Sequence, residues 1–223
     1  MRKKKKVEFV AWRPENYIPK QKNMIKELSK IKITTITKTK YGEKKITLAP
    51  TTDADIYQLC KYLDELDTIK YIDAAREITK PLTQEEKDKF FAKKQYKARF
   101  TIKNEVDEII GSVSASVSGT ADKKFIIEIG CFFGKKYQGN GYGTAASNSL
   151  CDEIFKDPDV GAIMIAHYEN NKASEGLANR ILNHLKEKNK TLKDSVYYSD
   201  KNVSHERHIY LENIKNPVYS KVK

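Results

Sequence analysis

Three glycines at alternate positions, in Gln138-Gly139-Asn140-Gly141-Tyr142-Gly143-Thr144, are the densest concentration of chemical capability in this 223-residue chain. The run follows an apolar stretch, Phe125 to Phe133, and precedes a helix start near Gly143. Glycines let backbone approach a ligand closely, and the free N–H groups of a helix N-terminus, aided by the helix dipole, point at an anion. A pyrophosphate is the natural guest of such a loop. The phosphate-cradling pattern GxxxxGK followed by Ser or Thr is absent. A dinucleotide-binding turn is a closer imitation, because Glu169 ends the next strand. Its third glycine would fall at Thr144, however, and Gly134 to Asn140 is long for that turn.

Little else offers catalysis by spacing alone. Cys60, Cys131 and Cys151 are odd in number, far apart and without a CxxC pair, so neither a disulfide framework nor a zinc knuckle is expected. His167, His184, His205 and His208 form no HExxH pair, and no metal is expected. Glu128 stands out as the one acid inside the apolar strand that feeds the glycine loop.

The loop needs a scaffold, and the hydrophobic pattern supplies one. Ile31 to Ile36 alternates β-branched residues, Lys40-Tyr41-Gly42-Glu43 offers a turn, and Lys45 to Ala49 runs extended, which predicts a hairpin. Pro50-Thr51-Thr52-Asp53 predicts a helix start, with Ile56, Leu59, Cys60 and Leu63 at helical spacing. Thr83 opens another helix through a capping box with Glu86 and runs it through Phe90 and Phe91. Tyr96 to Ile102, Ile109 to Val117 and Phe125 to Phe133 read as strands with short, hence antiparallel, connections. Beyond the loop come a helix to about Phe155, a strand from Ala162 to His167, a helix from about Asn171 to Lys188, and short strands at Ser195 to Tyr198 and His208 to Glu212. The fold class is α/β (α+β), with antiparallel strands first and one βαβ crossover late.

Charge divides the chain. Of 42 Lys and Arg against 30 Asp and Glu, residues 1–44 hold 14 basic residues and four acids, so +10 of the net +12 lies there. This predicts a basic N-terminal arm over 1–44, ending in a hairpin strand, and a nearly neutral domain over 45–223. The arm would attract an acidic or RNA-rich partner, or would be a solvated extension. A hydrophobic content of 39% excludes a wholly disordered chain. No apolar run approaches the roughly 18 residues of a membrane span. The start Arg2 to Lys6 imitates a signal peptide, but the run behind it, Val7 to Trp12, is short and contains Glu8. A cytoplasmic monomer or homodimer without membrane contact is expected.

From Lys45 to Leu182 the chain resembles the GNAT superfamily of acyl-CoA N-acyltransferases. Gln138-Gly139-Asn140-Gly141-Tyr142-Gly143 fits that family's loop signature. The lead-in Glu128-Ile129-Gly130-Cys131-Phe132-Phe133 and the element Asn171-Lys172-Ala173-Ser174 look like the branch of ribosomal-protein N-terminal acetyltransferases. The chain departs from many relatives at Ala178, where they have a tyrosine acid, and at Asn183-His184-Leu185, where a Gly-Phe pair usually closes the helix.

The resemblance implies a mixed, mostly antiparallel sheet with helices on both faces and a parallel strand pair that splays at the site. It implies acetyl-CoA as co-substrate, without metal, with pyrophosphate on Gln138, Gly139, Asn140, Gly141, Tyr142, Gly143 and Thr144. Pantetheine would lie along the backbone of Cys131, Phe132 and Phe133, with Asn171 hydrogen-bonding its amides. A backbone N–H near Phe133 would polarise the thioester. Glu128 would be the base that takes a proton from the attacking amine, its half-buried setting raising its pKa. Ser174 would give the leaving thiolate a proton or a hydrogen bond, unless it caps its helix instead. Tyr168 and His167 stand in reserve. The acceptor would be a primary amine, on a protein N-terminus, a lysine, a polyamine or an aminoglycoside. Acids in Asp64 to Asp67 and Glu105 to Glu108 would line the cleft for the polycations, or would be plain loop charges. A module that has lost turnover and binds through its basic arm is the rival reading.

Overall fold

A computed structural model describes residues 18–39, 42–72, 80–168, 170–198 and 204–211. In chain order the elements are α1 (Ile18–Leu28), β1 (Ile33–Thr39), β2 (Gly42–Pro50), α2 (Asp53–Tyr62), α3 (Leu66–Ile69), α4 (Gln84–Phe91), β3 (Lys97–Lys103), β4 (Ile109–Ala121) and β5 (Lys124–Phe133). They continue with α5 (Tyr142–Ile154), β6 (Val160–Tyr168), α6 (Lys172–Lys188), β7 (Leu192–Tyr198) and β8 (Ser204–Leu211). The strands form one sheet in the order β1-β2-β3-β4-β5-β6-β8-β7. Every neighbouring pair is antiparallel except β5 and β6, which the α5 crossover makes parallel.

Alternation along the strands decides which helices cover which face. In β3, Ala98, Phe100 and Ile102 join the main core with Leu150 of α5 and Ile181 of α6. Lys97 and Arg99 point the other way, toward the face that α2, α3 and α4 cover through Leu59, Tyr62, Ile69 and Phe91 packed with Phe132 of β5. Helices therefore sit on both faces, as expected. The helix start expected within Pro50 to Asp53 is capped by Thr52, which forms a reciprocal capping box with Asp55, and the box expected between Thr83 and Glu86 is present.

The beginning of the sheet differs from the charge-based reading. Residues 18–39 are built into the domain: Met24, Ile25 and Leu28 of α1 are buried in the main core, and β1 pairs with β2 along its whole length. The buried residues follow helical i, i+1, i+4 spacing, but the surrounding lysines masked that stripe. A solvated arm is thus not what this stretch forms. Arg2 to Lys6, Val7 to Trp12, Lys40, Tyr41 and Glu212 lie outside the described residues.

The feature that creates space in the sheet is where one pairing stops. Strands β5 and β6 pair from Phe125↔Val160 to Glu128↔Met164 and no further. Beyond that point β5 continues to Phe133 and β6 to Tyr168 without pairing to each other. One edge of β5 is therefore left without a strand partner, directly before the glycine loop.

Candidate active site

The gap opens into a cavity of about 1010 Å³, at the upper end of the usual range for ligand sites. The residues assigned catalytic or cofactor-binding roles from the sequence, and the two in reserve, border it: Glu128, Cys131, Phe132, Phe133, the whole run Gln138 to Thr144, His167, Tyr168, Asn171 and Ser174.

The glycine loop is held by α3 and by the end of β5. The Gln138 side-chain amide donates to the Phe133 carbonyl at 2.9 Å and reaches the Thr68 hydroxyl at 3.3 Å. Thr68 Oγ1 lies 2.8 Å from Glu65 Oε2 and 3.2 Å from the Phe133 carbonyl. Glu65 also accepts from the Lys135 backbone N–H at 2.7 Å. Gln138 therefore closes the loop onto the strand and is not itself presented to a ligand. Gly141 is the N-cap of α5, left-handed at φ 80°, with no side chain capping the helix. A Cβ there would lie 2.9 Å from the Lys38 carbonyl and 3.0 Å from Thr37 Oγ1, so glycine is required twice over, by φ and by space. Asn140 donates from Nδ2 to the Gln138 carbonyl at 3.0 Å, while its buried Oδ1 has no partner among the described residues. Lys38 and Arg180 add positive charge at this end, Arg180 through an Nε–H bond of 2.8 Å to Thr144 Oγ1.

The residues present fit acyl-CoA. The uncapped helix start with two nearby cations suits a pyrophosphate, the free β5 edge suits an amide-bearing chain that adds as a strand would, and the orphaned Asn140 Oδ1 is an acceptor awaiting a donor. Cys131 lies on that edge with its thiol pushed up by burial to about 11, which keeps it protonated and a poor nucleophile. Burial also raises the Tyr142 phenol.

At the start of α6, Asn171 Oδ1 accepts from the Ser174 backbone N–H at 3.1 Å and caps the helix. The cap is therefore Asn171 and not Ser174, which is half-buried and borders the cavity. Asn171 keeps its Nδ2 donors for other work. His167 is buried with Nδ1 3.0 Å from the Tyr168 carbonyl, and Tyr168 packs on Tyr71 with ring centroids 5.4 Å apart.

Sequence reasoning missed two cations on the opposite side of the cavity. Lys97 pairs across β4 through Ser116 to Glu128, and Arg99 through Ser114 to Gly130, so all six residues share one sheet face. Burial, seconded by Arg99 and opposed by Glu128, lowers the Lys97 ammonium to about 8. Burial alone lowers the Arg99 guanidinium to about 10. Arg99 stacks 4.3 Å from the Phe90 ring centroid and donates from Nη2 to the Phe90 carbonyl at 3.0 Å. Lys and Arg two apart in a strand whose alternate residues are apolar was the signal available. Of the acids expected to line the cleft, Asp67 borders the cavity while Asp64, Glu105 and Glu108 do not, and all four are ion-paired. Asp67 binds Lys135 at 2.6 Å, Glu105 binds Lys44 at 2.7 Å, Glu108 binds Lys136 at 2.9 Å, and Asp64 binds Lys87.

Residues 45–181 match the family model described as "Acetyltransferase (GNAT) domain". No curated protein matches the chain. Among solved structures, a GNAT-family acetyltransferase from Bacillus anthracis superposes with a TM-score of 0.55 at 17% identity, covering 80% of this chain and 99% of that one. Spermidine N-acetyltransferase from Vibrio cholerae, solved with CoA and spermine, gives 0.56 at 14% identity over 75% of this chain and 95% of that one. AAC(6')-Ib, solved with ribostamycin and coenzyme A, gives 0.56 at 14% identity over 74% and 93%. With a model that spans most of the described domain and a sheet whose parallel pair opens before the glycine loop, the chain belongs to the GNAT acetyltransferase family.

Proposed function

We propose that the protein transfers an acetyl group from acetyl-CoA to a primary amine by direct attack. The observation that carries this reading is the end of β5–β6 pairing at Glu128↔Met164, which leaves a bare strand edge leading into an uncapped helix start. Acetyl-CoA would supply the activated acyl group as a thioester. The loop from Gly139 to Thr144 would hold its pyrophosphate through backbone N–H groups, with Lys38 and Arg180 balancing the charge. The edge Cys131 to Phe133 would bind the pantetheine arm, and Asn171 Nδ2 would donate to one of its carbonyls. Backbone N–H donors aimed at the developing oxyanion contribute most when they are fixed in advance. The clamp of Gln138 and Thr68 on the Phe133 carbonyl fixes that stretch of backbone.

An amine attacks only as the free base, so a proton must leave it. Glu128 sits at the point where the strands part, on the cavity face, and is the residue we assign to receive that proton. Ser174 borders the same cavity and would donate a hydrogen bond to the departing thiolate, whose proton would come from solvent as the proton held by Glu128 is released. A Cys131-bound acyl enzyme is not part of the route, because its thiol stays protonated. The test is a thermal shift with acetyl-CoA followed by an amine panel read as free thiol release. Stabilisation by acetyl-CoA with acceptor-dependent thiol release is the expected result. Stabilisation without release for any amine would favour a binding module, and no stabilisation would remove the reading altogether.

A further inference from the structure

The cavity floor on the α2–α4 side is dipolar. Its two ends are Glu128 on β5 and the pair Lys97 and Arg99 on β3, and between them β4 contributes only Ser114 and Ser116. Two strand spacings separate the carboxylate end from the cationic end, about 10 Å between backbones, and long side chains from both ends shorten that distance. Gly130 beside Glu128 leaves the floor open, and Phe90 and Tyr71 border the space. Glu128 can neutralise one cation. The other acid bordering the cavity among the described residues, Asp67, has its carboxylate bonded to Lys135. Among the described residues the Arg99 guanidinium makes one hydrogen bond, to the Phe90 carbonyl, and its remaining N–H donors form a planar fork suited to a carboxylate.

We infer that the acceptor is a zwitterionic amine, a primary amine that also carries a carboxylate, with the amine at Glu128 and the carboxylate at Lys97 and Arg99. This rests on the acetyl-transfer reading and names the substrate class within it. A polycation such as a polyamine meets two like charges across the floor. An amine with a carboxylate offers each end of the floor its opposite. Among the described residues the two half-buried cations have no full complement of acids, which is costly to a fold and is a mark of a binding site.

The probes are a free amino acid, its carboxamide, the corresponding decarboxylated amine, spermidine, and a dipeptide amide with aspartate in second place. Binding is read without acetyl-CoA by thermal shift or calorimetry, and turnover by thiol release. The free acid should exceed its carboxamide by roughly 10- to 100-fold in kcat/KM, the size expected for charge-assisted hydrogen bonds to a desolvated anion. Arg99→Gln should collapse that ratio to within about threefold, and Arg99→Lys, which keeps charge and loses the fork, should restore part of it. Retained stabilisation by acetyl-CoA establishes that the variants fold. Preference for the free amino acid or for the aspartyl dipeptide supports the inference, and the comparison of the two shows whether the carboxylate is the acceptor's own α-carboxylate or a neighbouring side chain. Equal rates for acid and carboxamide, or a preference for spermidine, overturn it while leaving acetyl transfer standing. Absence of acetyl-CoA binding overturns both.

Discussion

Lys97→Met exchanges a half-buried ammonium for a flexible thioether of similar length, which suits the apolar wall beside Phe90. In the folded protein the lysine titrates at about 8 against 10.5 for an unhindered one, chiefly through burial. At about 1.4 kcal/mol per tenfold, that displacement corresponds to roughly 3 kcal/mol against the charged form. Solvent at the cavity mouth screens the charge and reduces this to about 1–2 kcal/mol. The variant should therefore be more stable than the parent at pH 7, with Tm higher by roughly 2–8 °C for a domain of this size. The sign follows from proton counting. Between about pH 8 and 10.5 the unfolded chain holds the proton on Lys97 and the folded chain does not, so the parent gains stability as pH rises through that window. The penalty is complete below pH 8 and gone above 10.5. The advantage of Lys97→Met should accordingly be greatest near neutrality and shrink toward pH 10. Urea unfolding of both proteins at pH 7, 8.5 and 10 measures it. A variant less stable than the parent at pH 7, or an advantage that does not narrow with pH, would refute the claim that this charge is held at a cost.

Gly141→Val should remove the thermal shift produced by acetyl-CoA, which for the parent is about 2.7 kcal/mol at a hundredfold excess over Kd; an unchanged shift places the ligand elsewhere. Glu128→Gln should keep acetyl-CoA binding and lower kcat, with a smaller loss at high pH, where more amine is already neutral; an equal loss at every pH would reduce Glu128 to positioning. Cys131 should resist alkylation at pH 7 and acquire no acyl adduct by mass spectrometry when acetyl-CoA is supplied without acceptor. Deleting residues 1–30 removes Met24, Ile25 and Leu28 from the core and should cost about 4 kcal/mol or more, read as a loss of cooperative unfolding.

How far the sequence spoke depended on whether a feature is local. Capping boxes at Thr52 and Thr83, the alternation of β3 to β5 and the glycine loop are all written within a few consecutive residues, and their elements formed where those residues lie. Helix α1 was obscured because lysines surround its three buried residues, and an overall charge balance averages a buried stripe away. Helix α3 is a single turn, too short for any periodicity to register, yet through Glu65, Asp67 and Thr68 it grips the loop at Lys135 and Gln138. Gln138 matched a signature, but its side chain holds the chain to itself.

Lys97 and Arg99 lie 29 or more residues from Glu128 in the chain, and their alternation with apolar residues marks a shared strand face without saying what that face meets. Register makes them a site. Two antiparallel pairings, β3 with β4 and β4 with β5, bring Lys97, Ser116 and Glu128 into one row. The end of β5–β6 pairing at that same row then opens the floor on which the row lies. A one-residue slip of β3 against β4 would exchange the two faces of β3, turning the cations toward the main core and Phe100 and Ile102 out toward the cavity, so the packing that fixes register also fixes the charge pattern of the cavity. The chemistry of the loop is therefore set locally, whereas the chemistry of the acceptor floor is set by pairing between segments remote in sequence.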